Sequence, residues 1–163
     1  MPRYLYLLRH AQSAERQPGQ TDFDRELTTK GIKQSVQVAR YFLDQKTFPE
    51  IIHSSLAQRA KFTTDLITDA LKYDPERIFF HEDLYEASTR TFFQFITSID
   101  DNFHHVLCVG HNPAISYLAE YLTKAEISEM VPAGMSIIQF NIDSWKEVSE
   151  GNGLLIKYVE VTV

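Results

Sequence analysis

The residues of this chain best suited to chemistry are arginines and histidines that follow short apolar runs. Arg9 and His10 are adjacent and end the first apolar run, and Arg59 and His111 each follow a later one. A guanidinium can hold two oxygens of a phosphate in a fixed fork, so two arginines suit an anionic ligand rich in oxygen. Two histidines beside a phosphate suggest that one attacks phosphorus while the other stabilises charge.

A carboxylic acid near the leaving group would complete this set, because it can supply a proton. Glu86 follows the third predicted strand, in a loop-like stretch. Glu86 is the carboxylic acid among the groups that follow the predicted strands, which makes it a candidate for this role. The alternative is an ordinary solvated carboxylate beside Glu82 and Asp83.

The elements that must position these groups follow from the alternation of apolar runs with segments of helical periodicity. This alternation is typical of an α/β domain with a mainly parallel sheet. Ligands bind beyond the carboxyl ends of the strands in such sheets, so we expect the five side chains to converge on one edge. The amides that begin the helix after His111 could add to an anion site there. The first four predicted strands are Arg3 to Leu8, Ile51 to His53, Arg77 to His81 and Val106 to Val109.

Four helices are predicted between and after these strands. Thr28 or Thr29 is a suitable N-cap for the first helix, and Ser54 or Ser55 for the second. The predicted apolar faces are Ile32, Val36, Ala39 and Leu43; Ala60, Thr63, Ile67 and Leu71; Phe92, Phe93, Ile96 and Ile99; and Ile115, Leu118, Ala119 and Leu122.

The C-terminal part of the chain changes character. Two more strands, Ser136 to Ile142 and Leu154 to Val161, are joined by a loop that ends in Gly151-Asn152-Gly153. A hairpin connection makes at least one of them antiparallel to the rest. The predicted fold class is therefore α/β with three layers, α/β/α: a mainly parallel central sheet, helices on both faces and an antiparallel C-terminal strand. We expect residues 1–163 to form one domain.

Composition narrows the class of protein. The chain has 163 residues, of which 44% are hydrophobic, and a net charge of −6. This acidic balance argues against non-specific binding to nucleic acid or to anionic membranes. A lone cysteine excludes an internal disulfide and fits a reducing compartment. Without a signal peptide or an apolar stretch of membrane-spanning length, the sequence predicts a cytoplasmic protein.

Other reactive side chains have simpler interpretations. Cys108 lacks the arginine that a tyrosine-phosphatase loop places after its cysteine, because position 114 is alanine, so we expect an inert core thiol. The remaining histidines lie near strand ends without matching partners, and we expect structural or surface roles for them. They are His53, His81, His104 and His105.

The reactive residues also lie in segments that resemble those of a known family. Leu8-Arg9-His10-Ala11 resembles the Arg-His-Gly signature of the histidine phosphatase superfamily, also called the phosphoglycerate mutase-like proteins. Ser54 to Ala60, with Thr63 further on, resembles its Ser-Pro-Leu-x-x-Arg-Ala segment. Val109-Gly110-His111-Asn112 resembles its second histidine motif, and Leu27-Thr28-Thr29-Lys30-Gly31 fits its helix entry. Together these segments make the match specific. In its small size the chain is most similar to the SixA-type phosphohistidine phosphatases.

The resemblance implies the phosphoglycerate mutase-like fold and a phosphohydrolase of the histidine acid phosphatase type, without metal or other cofactor. It implies that His10 is the nucleophile that forms a transient phosphohistidine, which water then hydrolyses. Arg9 and Arg59 would clamp the phosphoryl oxygens, and His111 would stabilise the transferring group. Many family members place their general acid at the position of Glu86. The implied partner is a protein that carries phosphohistidine, or a small phosphorylated substrate.

Two positions depart from the family pattern. Ala11 stands where the signature has glycine, and its methyl group could tighten the turn behind the nucleophile or demand a φ that alanine can adopt. Ser55 replaces the usual proline, at the cost of some rigidity. Three residues beside the two histidines are further candidates for substrate binding: Gln12, Ser13 and Asn112.

Alternatives to a metal-independent phosphatase stay open at this point. A phosphoglycerate mutase would use the same pocket, but the chain lacks a long insertion that would keep water out. An inactive phosphate-binding or phosphoprotein-binding module is disfavoured by the intact His10. A metallohydrolase is least favoured, because the two histidines lack partnering carboxylates. The sequence does not distinguish a phosphoprotein substrate from a phosphorylated metabolite.

Overall fold

The computed structural model describes residues 1–163 and is built on one six-stranded mixed sheet. The strand order is β3-β2-β4-β1-β5-β6, with β1 to β4 parallel, β5 antiparallel to β1, and β6 antiparallel to β5. The predicted mainly parallel sheet with an antiparallel C-terminal strand is therefore confirmed. The strands are β1 (Arg3–Arg9), β2 (Ile51–Ser55), β3 (Ile78–His81), β4 (His105–Gly110), β5 (Met135–Phe140) and β6 (Gly153–Val159).

Helices cover both faces of this sheet, as the three-layer prediction requires. One core, which includes Phe42 and Ile67, lies between the sheet and helices α1 and α2. The other core, which includes Phe92 and Leu118, lies under α3 and α4. The helices are α1 (Thr29–Gln45), α2 (Gln58–Leu71), α3 (Thr89–Thr97) and α4 (Ala114–Thr123).

Strand β1 lies inside the sheet, between β4 and β5. Leu5 and Leu7 pack into the core under α3 and α4, whereas Tyr6 and Leu8 pack into the core under α1 and α2. Because both faces of the strand are buried, its sequence is a continuous apolar run rather than an alternating one. The strand therefore forms a rigid support for the two residues that follow its apolar run.

Helix α1 begins where the sequence predicts. The side chain of Thr28 caps it by accepting a hydrogen bond of 3.0 Å from the backbone N–H of Gly31. A Cβ atom at Gly31 would lie 2.1 Å from the carbonyl oxygen of Gln12, so only glycine permits this approach. The helix entry is thus packed directly against the turn that follows β1.

The apolar face predicted for α1 is correct for only two of its four residues. Ala39 is buried and Ile32 packs against the core, but Val36 and Leu43 are 42% and 48% exposed, and Val38 and Phe42 are buried in their place. The buried face also carries small or polar residues, which an apolar pattern does not reveal; these are Gly31, Gln34 and Ser35. Because Gly31 packs directly against Gln12, the buried face of α1 is shifted by one residue toward the N-terminus relative to the predicted face.

The start predicted for α2 is also wrong. Ser54 and Ser55 belong to β2, which continues to Ser55, and the residue before the helix is Ala57. The other helix faces agree better with prediction: three of the four residues expected for α2 are buried, and all four expected for α4 are buried. No helix of the fold has the length and apolar content that a membrane crossing requires.

Candidate active site

The parallel register of β1 and β4 brings two histidines together. Arg9 pairs with Gly110, so the next residues, His10 and His111, leave the sheet side by side. Their ring centroids lie 5.0 Å apart, with 55° between the ring planes. Both side chains are buried, with only 6% and 9% of each residue exposed.

The ring of His10 is held in one orientation. Its Nδ1 lies 2.7 Å from the carbonyl oxygen of Ala11, and because a carbonyl only accepts, Nδ1 must carry the proton. The other nitrogen, Nε2, is then unprotonated and lies 3.4 Å from Nε of Arg59. Burial lowers the pKa of His10 to about 3; the bond to Ala11 opposes this change, and the charges of Arg59 and Arg9 add to it. A neutral ring whose unprotonated Nε2 only accepts, here from Nε–H of Arg59, is the form that nucleophilic attack requires.

Ala11 fits the turn behind His10 without backbone strain. It is fully buried and is not among the residues with positive φ. Its backbone N–H donates to Oγ1 of Thr63 at 3.1 Å, and the same hydroxyl donates to the carbonyl of Arg59 at 2.7 Å. Thr63 therefore ties the turn after β1 to the first turn of α2. The methyl group that departs from the family signature is accommodated.

Arg9 is anchored by the segment between α4 and β5. Its Nη1 donates to the carbonyl of Met130 at 2.7 Å, while its Nε is buried without a partner. The carbonyls of Arg9 and His10 both lie 3.1 Å from the backbone nitrogen of Ala133. Arg9 thus retains donor capacity close to His10.

Arg59 lies in the first turn of α2 and contacts Asp22, a loop residue that the sequence did not single out. Its Nη1 donates to the Asp22 carbonyl at 2.8 Å, and its Nη2 lies 3.2 Å from the Asp22 carboxylate. The hydroxyl of Tyr85 donates to the same carboxylate at 2.5 Å. This hydrogen bond is the main reason why the pKa of Asp22 falls to about 2, and a hydrogen bond from Arg25 and the charge of Arg59 lower it further. An ionised carboxylate therefore lies beside the guanidinium.

His111 contacts the end of β2. Its Nε2 lies 2.8 Å from Oγ of Ser55, and its Nδ1 is buried without a partner. Burial lowers the pKa of His111, and the neighbouring His10 and Arg59 lower it further. The ring is therefore neutral at physiological pH.

One open cavity of about 490 Å³ lies at the carboxyl edge of the sheet, and Arg59 and His111 lie on its wall together with Glu86 and Asn112. His10 is not among the residues that line it, and Arg9 lines an adjoining cavity. Glu86 is exposed, just after a short 3-10 helix. The amide of Asn112 donates to the carbonyl of Met130 at 3.0 Å, the same carbonyl that anchors Arg9.

Gln12 and Ser13 do not line this cavity. The side-chain oxygen of Gln12 accepts from the Thr28 hydroxyl at 2.8 Å, and Oγ of Ser13 accepts from Nη2 of Arg25 at 2.9 Å. Both side chains therefore stabilise the loop between β1 and α1. Their role in substrate binding stays a prediction that this geometry does not favour.

Three residues around the cavity were missed in the sequence. Ser55 ends β2 and Tyr85 precedes Glu86, so the rule that selected strand ends could have found both. Asp22 lies in a polar loop far from any strand end, and nothing local distinguishes it from the neighbouring Asp24. Its contact with Arg59 joins residues 37 positions apart.

The remaining reactive side chains lie elsewhere. Cys108 is fully buried in β4, and burial raises the pKa of its thiol, as expected for an inert core residue. His53 and His81 are hydrogen-bonded to each other at 2.9 Å, away from the cavity described above. No group of three or more His, Cys, Asp or Glu side chains has the arrangement of a metal site.

Comparison with known proteins identifies the family. The model of the histidine phosphatase superfamily, branch 1, matches residues 5–92 of the 163, which is just over half of the chain. The chain belongs to the histidine phosphatase superfamily. The matched region contains Arg9, His10 and Arg59, and it supports a phosphohydrolase.

Relatives of this histidine phosphatase are found among proteins and solved structures. The uncharacterized protein Rv1276c of Mycobacterium tuberculosis is 29% identical over 162 residues, with 93% of this chain and 98% of the relative covered. The structure described as phosphohistidine phosphatase SixA from Agrobacterium tumefaciens is 26% identical, with a TM-score of 0.83 and 99% of each chain covered.

Two further structures share the fold of this histidine phosphatase at lower identity. A protein histidine phosphatase SixA in complex with tungstate is 22% identical, with a TM-score of 0.79 and 95% of each chain covered. A mycobacterial glucosyl-3-phosphoglycerate phosphatase is 17% identical, with a TM-score of 0.65, and the match covers 96% of this chain and 98% of that one. The fold thus occurs in phosphatases with different substrates.

Proposed function

We propose that this protein is a SixA-type phosphohistidine phosphatase that works without a metal, through a covalent phosphohistidine on His10. The observation that carries the proposal is the state of His10: a buried, neutral ring whose Nδ1 is bonded to a carbonyl and whose Nε2 is unprotonated beside Arg59. Arg9, Arg59 and His111 surround it with groups that suit a phosphoryl dianion.

In the first step, Nε2 of His10 attacks phosphorus, and the bond between phosphorus and the leaving group breaks. Arg9 and Arg59 neutralise the phosphoryl oxygens, and His111 stabilises the charge that develops during transfer. Glu86, at the cavity wall, gives its proton to the departing nitrogen or oxygen of the substrate. The products of this step are the free leaving group, phosphohistidine at position 10, and ionised Glu86.

In the second step, water attacks the phosphorus of the intermediate. Glu86 takes a proton from this water, the bond between phosphorus and Nε2 of His10 breaks, and inorganic phosphate leaves. His10 is then neutral and Glu86 protonated again, as before the first step. The open cavity admits water at this stage, which favours hydrolysis over transfer to a second substrate position.

The charges around the cavity support a substrate with one phosphoryl group and no further anionic group. The adjoining cavity, which Arg9 and Asn112 line, carries Glu120 and Glu129, while the main cavity carries Asp22 and Glu86. The only Lys or Arg residues that line the two cavities are Arg9 and Arg59. Once phosphate occupies both arginines, no other cationic side chain lines these cavities, and their carboxylates repel a second anion on the substrate. Phosphoglycerates are therefore poorer candidates than a phosphohistidine in a protein.

The test of this function is the variant His10→Ala, assayed with phosphohistidine peptide, phosphoramidate and a chromogenic phosphomonoester. We expect turnover to fall by roughly a thousandfold or more, because the nucleophile is removed. The matched control is His104→Ala, a half-buried histidine outside the cavity, which should retain activity. Activity should also survive EDTA and be blocked by vanadate.

Two results would contradict the proposal. Full turnover in His10→Ala would exclude the covalent mechanism. Tight phosphate binding by the wild-type protein, with no turnover of phosphohistidine proteins or of a library of small phosphates, would favour an inactive binding module. The same library separates a phosphoprotein phosphatase from a phosphatase of small metabolites.

A further inference from the structure

Ser55 places a buried hydroxyl group against His111 from a neighbouring strand. It is the last residue of β2 and is fully buried. Ser54 pairs with Val109 in the parallel register of β2 and β4, so Ser55 lies level with Gly110, just before His111 leaves the sheet. Its Oγ is 2.8 Å from Nε2 of His111.

The hydrogen-bond partners of this hydroxyl fix the direction of the bond. Its other partner is the backbone N–H of Ala57, a donor 3.2 Å away. The single hydroxyl proton of Ser55 therefore has Nε2 of His111 as its acceptor. If Nε2 were protonated instead, the hydroxyl proton and the Nδ1 lone pair would both be buried without a partner, whereas with the proton on Nδ1 only that N–H lacks one. We propose that Ser55 donates to Nε2 and so holds neutral His111 with its proton on Nδ1.

The consequence concerns the other nitrogen of the ring. Nδ1 of His111 is buried and has no partner within the chain, and the ring lines the cavity beside His10. With the proton on Nδ1, the ring offers a hydrogen-bond donor to a phosphoryl oxygen; with the opposite tautomer it would offer a lone pair, which repels that oxygen. This use of the donor rests on the proposed function. Ser55 acts through His111 and is a positioning residue.

Ser54 provides a matched comparison on the same strand. It is also fully buried, but its hydroxyl donates to the carbonyl of Ser55 and accepts from the hydroxyl of Thr64, each at 2.9 Å. Ser54→Ala therefore removes a buried hydroxyl at the same depth without removing a partner of His111. Ser55→Thr, in contrast, retains a hydroxyl at the position that contacts the ring.

The experiment measures the imidazole nitrogens of His111 by NMR in substrate-free protein labelled with 15N-histidine, with His111→Asn used for assignment. We expect the wild type and Ser54→Ala to carry the proton on Nδ1, and Ser55→Ala to give a mixture of the two tautomers. With phosphoramidate as substrate, kcat should fall about tenfold to a hundredfold in Ser55→Ala, while KM changes much less. Ser55→Thr should recover both the tautomer and most of kcat.

A proton on Nε2 of His111 in the wild type would overturn the inference, and this reading does not depend on whether any variant folds. It would also be overturned if Ser55→Ala kept the wild-type tautomer, or if Ser54→Ala lowered kcat as much. Because the spectra are recorded without substrate, they remain informative if no substrate is turned over. Absent turnover in the wild type would instead refute the proposed function.

Discussion

At the scale of single residues, the state of His10 is set by its burial more than by its charged neighbours. The sequence places two arginines near this ring and predicts that they disfavour its cationic form. Their charges do lower its pKa, but burial is the larger cause. The carbonyl of Ala11 then decides which nitrogen stays unprotonated. A histidine at a strand end becomes a candidate nucleophile only when these conditions are combined.

Asp22 provides a prediction at the same scale. Its carboxylate bonds Arg59 and is ionised, so it competes with phosphate for this guanidinium and repels the dianion. Asp22→Asn removes the charge but keeps an oxygen that can accept from Tyr85. We expect inorganic phosphate to bind about threefold to tenfold more tightly, a modest gain because the Asp22 side chain is 47% exposed. Isothermal titration calorimetry with phosphate measures this affinity.

The control for this change is Asp24→Asn in the same loop. The Asp24 carboxylate accepts from the hydroxyl of Thr21 and does not contact Arg59, so phosphate affinity should not change. Weaker binding in Asp22→Asn would mean that the ion pair holds Arg59 in its binding orientation. In that case the positioning of Arg59 would outweigh the repulsion of phosphate.

At the scale of elements, helix α1 shows how a small shift in phase changes the core. Phe42 is 1% exposed and packs edge-to-face against Tyr6 of β1, with 5.5 Å between ring centroids, whereas Leu43 is 48% exposed. Phe42→Ala should lower the free energy of unfolding by about 3–5 kcal/mol, because it leaves a cavity in the core. Leu43→Ala should change it by about 0.5 kcal/mol.

Urea unfolding followed by circular dichroism measures both values, and the two adjacent positions serve as controls for each other. Equal losses at Phe42 and Leu43 would mean that α1 is rotated relative to the orientation described here. A larger loss at Leu43 than at Phe42 would mean that the buried face of α1 is the one predicted from the apolar spacing alone. Either result would also change how the start of α1 packs against the turn after His10.

At the scale of the whole molecule, its buried histidines make stability depend on pH. The pKa of His10 falls from 6.5 to about 3 on folding, and burial lowers the pKa of His111 as well. Below pH 6.5 the unfolded chain therefore binds protons that the folded chain does not, so acidification favours unfolding. We expect each of these histidines to remove on the order of 1 kcal/mol from the free energy of unfolding between about pH 6.5 and pH 5.5.

Urea titrations at several pH values test this expectation. In the double variant His10→Asn, His111→Asn, the loss of stability between pH 6.5 and 5.5 should be clearly smaller. The same variant should still lose stability at lower pH, because Asp22 has a depressed pKa and its contribution disappears only as it becomes protonated. A wild-type free energy of unfolding that stays constant between about pH 6.5 and pH 5.5 would contradict the prediction.

We also propose that residues 1–163 form a single domain, which predicts one cooperative transition in each titration.

The order of elements and the convergence of the site could be read from the sequence. A buried strand needs apolar side chains on both faces, so the run before Arg9 stands out, and parallel strands present their carboxyl ends at one edge. These two rules depend on local pattern and general geometry, not on which helix face packs. Together they predict that Arg59, Glu86 and His111 meet at one cavity. The ends of the strands differ from the predicted ends by at most two residues.

Only the tertiary structure decided which neighbours these groups have. Asp22 contacts Arg59 across 37 positions, Tyr85 contacts Asp22 across 63, and Ser55 contacts His111 across 56. The tautomer, charge and spare donors of a side chain depend on such partners, and a partner is chosen by the packing of whole elements. The spacing of residues along the chain does not show which partner a side chain will contact. The sequence therefore determined which groups meet at the edge of the sheet, and the fold determined the protonation state and orientation in which they meet.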